Sequence, residues 1–307
     1  MGEYLIHRLA HAVLVVLGVS VLVFGLTFMA GDPAAMLLSS DASIGAKDIE
    51  AFRKEMGFDR PLYEQYYWYI SRAVRGDLGA SLWQHQPALP LILDRVPATL
   101  ELAFAALFIS LLIGVPMGIV SAIKRGSLFD TFSTMAAAAG NSMPVFWLGI
   151  VLILTVSVWL RWLPAAGRGG IDRLILPALT LGAYSGSITA RLLRSSLIEV
   201  LNKDYVRTAR AKGVRERVVI LRHSLKNSAL PVITVVGLQV GYLLAGAIIT
   251  ETVFAWPGMG LLAIQAVRSR DIPVVQAFVM MAAIIVVLVN LSVDLLYRYL
   301  DPRIRYS

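Results

Sequence analysis

The chain has 307 residues, of which 57% are hydrophobic and 16% are charged, and it contains no cysteine. A water-soluble domain of this length carries about a quarter charged residues, so the composition indicates an all-α integral membrane protein and excludes disulfides and thiolate metal sites. Basic residues on the cytoplasmic face explain the net charge of +8 more simply than nucleic-acid binding does, and we expect no nucleic-acid partner.

Six uncharged runs predict six transmembrane helices, because about 20 helical residues cross the roughly 30 Å hydrocarbon layer. They occupy residues 9–29, 102–123, 131–160, 174–190, 227–250 and 272–293. The run at 174–190 is at the lower limit of length, and the run at 131–160 is long enough that we expect it to bend. The first run is longer than the apolar core of a signal peptide, so we expect it to be retained.

The distribution of Lys and Arg predicts that both termini are cytoplasmic. With six spans, this orientation places 16 of the 28 Lys and Arg in short inner segments, ten of them between residues 191 and 226. Cytoplasmic loops of membrane proteins carry such an excess.

A long outer loop, residues 30–97, follows the first span. Ile49, Phe52 and Met56 recur at helical spacing in its first half. Pro61 then suits the first turn of a second helix, whose aromatic cluster (residues 63–69) is typical of the lipid–water boundary. The loop is either a docking platform for an external partner or a cap on the helix bundle, and the pattern leaves both open.

The third and fifth predicted spans contain polar residues, and glycine or proline residues that loosen a helix, which a lipid-facing helix would avoid. Such residues are tolerated where they face protein or a water-filled cavity, so they predict the lining of a translocation pathway. Small-residue packing with a hydrogen bond between helices is the alternative. The candidates are Asn141, Ser142, Pro144, Gly237, Gln239 and Gly241.

Residues 204–231 carry seven Lys and Arg against two acids. Tyr205, Val206 and Ala209 share one face of a predicted short helix, and Gly213 is placed to end it because glycine readily adopts positive φ. A second amphipathic helix completes an L, with an apolar stripe formed by Val214, Val218, Leu221 and Leu225. Such a basic pair either lies on anionic lipid or inserts into a soluble partner.

A second outer loop, residues 251–271, contains a turn signal at Trp256, Pro257 and Gly258. Its apolar middle, residues 260–267, is expected to re-enter the membrane or to lie on its surface.

No catalytic chemistry emerges from the sequence. There is no GxxxxGK[ST] motif for binding ATP, no intramembrane pair of aspartates, and no His at a recognisable metal spacing. We therefore expect neither an enzyme nor a resident cofactor or metal.

The stretch DYVRTARAKGV…LP resembles the cytoplasmic EAA loop of ABC-importer permeases, although Thr208-Ala209-Arg210 stands where the family has acid-alanine-alanine. Across the chain the sequence is similar to permeases of dipeptide, oligopeptide and nickel importers. The motifs that carry this resemblance are GDPA at 31–34, GFDRPLYEQY at 57–66, GDLGASL at 76–82, PATLELA at 97–103, LPALTLG at 176–182, ARLLRSSLIEVLNKDYVRTARAKG at 190–213, ETVFAWPGMG at 251–260 and DPRIR at 301–305.

The resemblance implies a single permease domain (1–307) of type I ABC-importer architecture in the bacterial inner membrane, with a coupling loop at 194–231. Its implied partners are a second homologous permease, two ATP-binding subunits and an external substrate-binding protein. In the coupling helix, Arg207, Arg210 and Lys212 would meet the ATPase, while Gly213 would supply the bend. The implied coupling residues are Asp204, Tyr205, Val206, Arg207, Thr208, Ala209, Arg210, Ala211, Lys212 and Gly213. Trp256, Pro257 and Gly258 would form a periplasmic gate or contact the binding protein.

Several alternatives stay open. The substrate could be a peptide, a nickel chelate, glutathione or an opine. A stand-alone channel or secondary transporter, and a lipid-anchored scaffold, are rivals from other classes.

Overall fold

A computed structural model describes residues 2–29, 50, 53–54 and 59–300. Within these ranges the only β-type pairing is an isolated bridge between Ala80 and Pro87, and the predicted all-α fold is confirmed. Ile49, Phe52 and Met56 lie outside the described residues, as do the motifs at 31–34 and 301–305. The helices are α1 (Gly2–Met29), α2 (Leu62–Val74), α3 (Ala88–Leu93), α4 (Val96–Ile123), α5 (Leu128–Ser142), α6 (Val145–Leu152), α7 (Ile171–Leu201), α8 (Asp204–Ala211), α9 (Leu225–Val253), α10 (Met259–Arg268) and α11 (Ile272–Leu300).

Wide, π-helical turns lengthen two of these helices. The segment Ile153–Trp159 continues α6, and the segment Val219–Ser224, preceded by a short helical turn at Glu216–Val218, leads into α9.

Four of the described helical segments are long and apolar enough to cross a membrane, and α5 with α6 would make a fifth. The four are His7–Gly25, Ala88–Ile123, Glu216–Leu244 and Ile272–Val293. Helix α7 contains the predicted fourth span, but its apolar stretch is short and rich in Gly, Ser and Thr. The count of six spans and the cytoplasmic termini therefore stay predictions.

The long third run bends, as its length predicts. The chain bends by 108° between α5 and the segment Val145–Trp159, which is α6 with its continuation. Between them Met143 is extended (φ −82°, ψ 131°) and Pro144 precedes the first residue of α6. A residue that precedes proline is sterically driven out of the helical region, so Pro144 fixes where α5 ends.

The described residues form two compact units. One comprises the chain before Pro97 together with residues 262–291, and the other comprises residues 97–261 with the chain after residue 291. The second unit contains almost all of α4 to α9, and with them the predicted coupling loop.

In this second unit, α4 and α7 approach each other closely along a line of small residues. A Cβ added to Gly182 would lie 2.5 Å from the carbonyl oxygen of Ala106, which is closer than atoms can pack. Small residues allow membrane helices to approach in this way. The same kind of close contact joins Gly114 to Gly186 and Gly118 to Ala190.

The core of the second unit is built around Trp256, which is fully buried among side chains of α4, α7 and α9. Its indole Nε1 donates a hydrogen bond of 2.8 Å to the carbonyl oxygen of Ala98. The loop after α9 is therefore anchored to the start of α4.

In the first unit, α2 contacts α1 through aromatic rings. Tyr66 and Tyr69 lie 5.4 and 5.9 Å from Phe24, measured between ring centroids, and the Tyr66 hydroxyl is 2.7 Å from Ser20 Oγ. Pro61 precedes α2 as its cap, one residue before the predicted position. Burial raises the pKa of Tyr69 to about 12.

A hydrogen-bonded corner links the turn before α3 to the start of α11, also within the first unit. Asp271 accepts hydrogen bonds from Ser81 Oγ (2.5 Å) and from the backbone N–H of Leu82 (3.2 Å). Trp83 Nε1 donates to the carbonyl oxygen of Ser269 at 3.0 Å, although Trp83 itself is 69% exposed. The motif at 76–82 and the end of the second outer loop thus form one structure.

Candidate coupling surface and translocation pathway

Helix α8 is the predicted coupling helix, and only one side of it is covered. Val206 is fully buried and Ala209 is half-buried. Asp204 and Arg207 expose 97% and 70% of their side chains, and Asp204 Oδ1 lies 3.8 Å from Arg207 Nη1. A short helix that buries an apolar side and exposes charges on the other is suited to contact another protein or a lipid headgroup.

A glycine ends this helix, as predicted. Gly213 has φ of +73°, and its N–H donates to the carbonyl oxygen of Arg210 at 2.9 Å. The N–H of Val214 donates to the carbonyl oxygen of Ala209 at 3.2 Å. This left-handed end satisfies carbonyls that would otherwise lack partners and turns the chain into the second arm of the L.

Two side-chain contacts hold the L together, and the one made by Tyr205 differs from the predicted orientation. Arg210, placed by the sequence among the outward-facing basic residues, binds Glu216 through Nε and Nη2 at 3.1 and 2.6 Å. Tyr205, placed on the packed face, is 46% exposed, and its hydroxyl accepts a hydrogen bond from Asn227.

The predicted apolar stripe of the second arm is wrong in register. Val218 and Leu221 are exposed. The predicted spacing assumes 3.6 residues per turn throughout, whereas the wide turns at Val219–Ser224 insert an extra residue. The buried positions consequently follow one another at intervals of five, four and four residues, and they are Val219, Ser224, Ser228 and Val232.

The predicted pathway residues of the third span lie at the bend between α5 and α6. Asn141 is half-buried, whereas Ser142 and Pro144 are exposed. One residue earlier, a Cβ added to Gly140 would lie 2.5 Å from Ser187 Oγ, so α5 packs against α7 just before it bends.

The predicted pathway residues of the fifth span are more enclosed. Gln239 is buried and donates a hydrogen bond to the carbonyl oxygen of Ser185 at 3.2 Å. This is the hydrogen bond between helices that the sequence left open as the alternative to a lining role. Gly237 is buried as well, and Gly241 is half-buried.

A stacked pair of tyrosines, which sequence reasoning missed, connects α7 and α9. The rings of Tyr184 and Tyr242 lie 4.8 Å apart at an angle of 27°, and Tyr242 is 42% exposed. Both stand near the middle of their helices, whereas tyrosines of membrane helices usually collect at the two interfaces. An exposed phenol at this depth is a candidate contact for a solute.

In the last turn of α9, a buried carboxylate organises the loop that contains Trp256, Pro257 and Gly258. Glu251 is fully buried and accepts hydrogen bonds from Thr99 Oγ1 (2.6 Å) and from the N–H of Leu261 (3.0 Å). A side chain on Gly258 would collide with this carboxylate. Trp256 is also buried, so its side chain is not part of an exposed surface of this chain.

A second buried carboxylate lies at the other end of α4. Asp130, in the first turn of α5, binds Arg194 of α7 through Nε and Nη2 at 2.6 and 2.8 Å. It also accepts hydrogen bonds from Ser121 Oγ of α4 (2.6 Å) and from the N–H of Gly126 (2.9 Å). One side chain thus joins three helices.

Among the described residues, no group of three or more His, Asp or Glu is arranged to hold a metal ion. The buried acids instead have Ser, Thr, Arg and backbone N–H partners, so their contribution is to hold helices in position.

Comparison with known proteins identifies the family. Residues 114–306 match the sequence model described as Binding-protein-dependent transport system inner membrane component, and residues 1–103 match the model of the corresponding N-terminal region. The chain belongs to this family. The predicted family resemblance is confirmed, and this permease is a multi-pass protein of the bacterial inner membrane.

Two groups of relatives match the permease over the full length of both chains. It is 43% identical to the glutathione transport system permease protein GsiC and 39% identical to the dipeptide transport system permease protein DppB, both from Escherichia coli.

Solved structures agree on the fold. A chain of the MetNI methionine ABC transporter, in inward-facing conformations, matches with a TM-score of 0.59 and 19% identity, covering 69% of the permease and 96% of that chain. An amino acid ABC transporter with histidines matches with a TM-score of 0.55 and 15% identity, over 68% and 94% of the two chains. The predicted type I ABC-importer permease architecture is confirmed.

Sequence reasoning missed the polar cluster around Asp130, although one signal was present. Ser127 and Asp130 stand at the spacing of a helix-capping box, and the Asp130 N–H indeed donates to Ser127 Oγ. Arg194 gave no comparable signal, because it is one of many basic residues near the predicted inner face of the permease.

Proposed function

We propose that this protein is the transmembrane permease subunit of an ATP-driven, binding-protein-dependent importer for short peptides. The observation that carries the proposal is the full-length similarity to permeases named for dipeptide and for glutathione transport. Glutathione is itself a tripeptide, so the two names share one substrate class. Glutathione is the favoured alternative to a dipeptide, because GsiC shows the higher identity.

The proposed assembly contains a second homologous permease, two ATPase subunits and an external binding protein. ATP would be bound by the ATPase subunits, and the permease would have no ATPase site of its own. Support for the contact with the ATPase comes from α8, whose exposed Arg207 lies beside the buried Val206, and from the corner at Gly213.

The proposed mechanism is alternating access. Closure of the ATPase subunits on ATP would move α8, and α7 would move with it because only two residues separate these helices. The pathway would then open outward to receive a peptide. Exposed Ser142 and Tyr242, with half-buried Asn141, would line it, and the loop around Trp256 would close its outer end.

Co-purification tests the coupling assignment. The complex is solubilised from native membranes through a tag on the permease, and ATPase subunits and ATP hydrolysis are measured for wild type, Ala209→Glu and Gly213→Trp. We expect the ATPase subunits with wild type and their loss, or uncoupled hydrolysis, with either variant. A permease that brings down no ATPase, with both variants behaving as wild type, would instead support a stand-alone channel or a lipid-anchored scaffold.

Uptake into proteoliposomes tests the substrate class. The purified complex is supplied with its binding protein and ATP, and uptake of a labelled dipeptide is competed with glutathione, a nickel chelate or an opine. We expect uptake that requires both ATP and the binding protein, with competition by glutathione or by other short peptides. Competition by the nickel chelate or the opine alone would reject the peptide assignment while leaving the importer assignment intact.

A further inference from the structure

The Asp130–Arg194 pair lies where the proposed machinery needs a mechanical link. Arg194 is on the part of α7 that leads into α8. Asp130 lies in the first turn of α5, and the bend at Pro144 follows the other end of that helix. Movement of α8 can therefore reach the bent segment in two steps, first through α7 and then through this ion pair.

The corner between α4 and α5 is folded around the same carboxylate. Gly126, with φ of +77°, donates its N–H to Asp130, and Ser121 donates its hydroxyl from the last turn of α4. The side chain of Asp130 is 7% exposed, whereas that of Arg194 is 30% exposed. The acid is thus fixed in place, while the guanidinium has access to water.

A buried ion pair of this kind contributes little net free energy to folding. Apolar side chains of similar volume often hold helices together as well or better, because buried charges lose their hydration. What a carboxylate with two guanidinium bonds adds is one defined geometry. Because Arg194 retains access to water, that geometry can also be released without leaving a fully buried cation.

We propose that Asp130 and Arg194 are the positioning residues that transmit the movement of α7 and α8 to α5 during transport. This inference rests on the proposed function, because it assigns a role within ATP-driven import. It predicts that breaking the pair uncouples ATP hydrolysis from uptake while the complex still assembles.

The experiment compares Asp130→Asn, Arg194→Lys and the neutral double variant D130N/R194Q with wild type, each purified as the complete complex in proteoliposomes. The double variant carries no stranded charge, and Arg194→Lys keeps the charge but loses the paired geometry. The matched control is Asp172→Asn, which makes the same change at an exposed acid in the first turn of α7, outside the coupling loop. The readouts are the amount of assembled complex, ATP hydrolysis and peptide uptake per ATP hydrolysed.

We expect uptake per ATP to fall about fivefold or more in all three variants, in the range typical of coupling between distant sites, and to stay at the wild-type value in Asp172→Asn. Unchanged uptake per ATP in the assembled variants, or failure of all three to assemble, would show a purely structural role and overturn the inference. A wild-type complex without ATP-driven uptake would instead reject the proposed function itself.

Discussion

The corner at Gly213 requires glycine because of its backbone conformation and not because a side chain would lack room. Its φ of +73° lies in the left-handed region, and a Cβ added there would meet no atom within 4 Å. The left-handed conformation costs an ordinary L-residue about 1–2 kcal/mol, whereas asparagine visits it readily.

We therefore expect Gly213→Asn to retain binding-protein-stimulated ATP hydrolysis close to wild type and Gly213→Val to lose most of it. Both substitutions add bulk at the same exposed position, so their difference isolates the backbone requirement. The measurement is ATP hydrolysis by the purified complex with and without the binding protein. Equal activities of the two variants would contradict the assigned role of the corner.

Trp256 makes a different kind of contribution, since its whole indole is buried and its Nε1 is bonded to Ala98. Trp256→Ala leaves a cavity and is expected to lower the free energy of unfolding by about 3–5 kcal/mol. Trp256→Phe keeps part of the volume but loses the indole hydrogen bond to Ala98, at a cost of about 0.5–1.5 kcal/mol. In detergent, the midpoint of thermal unfolding should be highest for wild type, lower for Trp256→Phe and lowest for Trp256→Ala. An unshifted midpoint for Trp256→Ala would contradict this packing.

Single residues differ in how much of their role the sequence reveals. Proline restricts the backbone and glycine allows positive φ in any sequence context. The corner at Gly213 and the bend at Pro144 were therefore predictable. Asp130 and Arg194 are 64 positions apart, and nothing in one sequence indicates that two such residues meet. The same limit applies to Tyr184 and Tyr242.

At the scale of elements, the α4–α7 contact depends on the absence of side chains. A methyl group on Gly182 would lie 2.5 Å from backbone oxygen, so the helices would have to separate. We expect Gly182→Ala to destabilise the protein by about 1–3 kcal/mol, as overpacked cores do. The control is Gly18→Ala in α1, where an added Cβ meets nothing within 4 Å. A melting curve that shifts as little for Gly182→Ala as for the control would rule out the close approach.

Elements also show where periodicity fails as a guide. The helix that begins at Glu216 was predicted, but its buried face was not, because wide turns at Val219–Ser224 shift every later position. Hydrophobic spacing reports the face of a regular helix only. An extra residue within one turn is a tertiary adjustment that the spacing cannot register.

At the scale of the whole molecule, the absence of native cysteine makes the topology directly measurable. Single cysteines at Gln84, Gly169, Asn202 and Lys212 can each be labelled with a membrane-impermeant maleimide. If α7 crosses the membrane, Gly169→Cys reacts in intact spheroplasts and Asn202→Cys reacts only after lysis. With cytoplasmic termini, Gln84→Cys should behave like the former and Lys212→Cys like the latter. The same labelling for Gly169→Cys and Asn202→Cys would remove α7 from the count of spans.

The close contact between α4 and α7 also sets a scale for movement. A 31-residue helix is about 46 Å long at 1.5 Å per residue. If glycine contacts and buried carboxylates make α4 and α7 one stiff rod, a rotation of about 10° around one end displaces the other by roughly 8 Å. A displacement of this size means that a small rotation at the surface that contacts a partner opens a gap wide enough for a peptide backbone. No helix has to unwind.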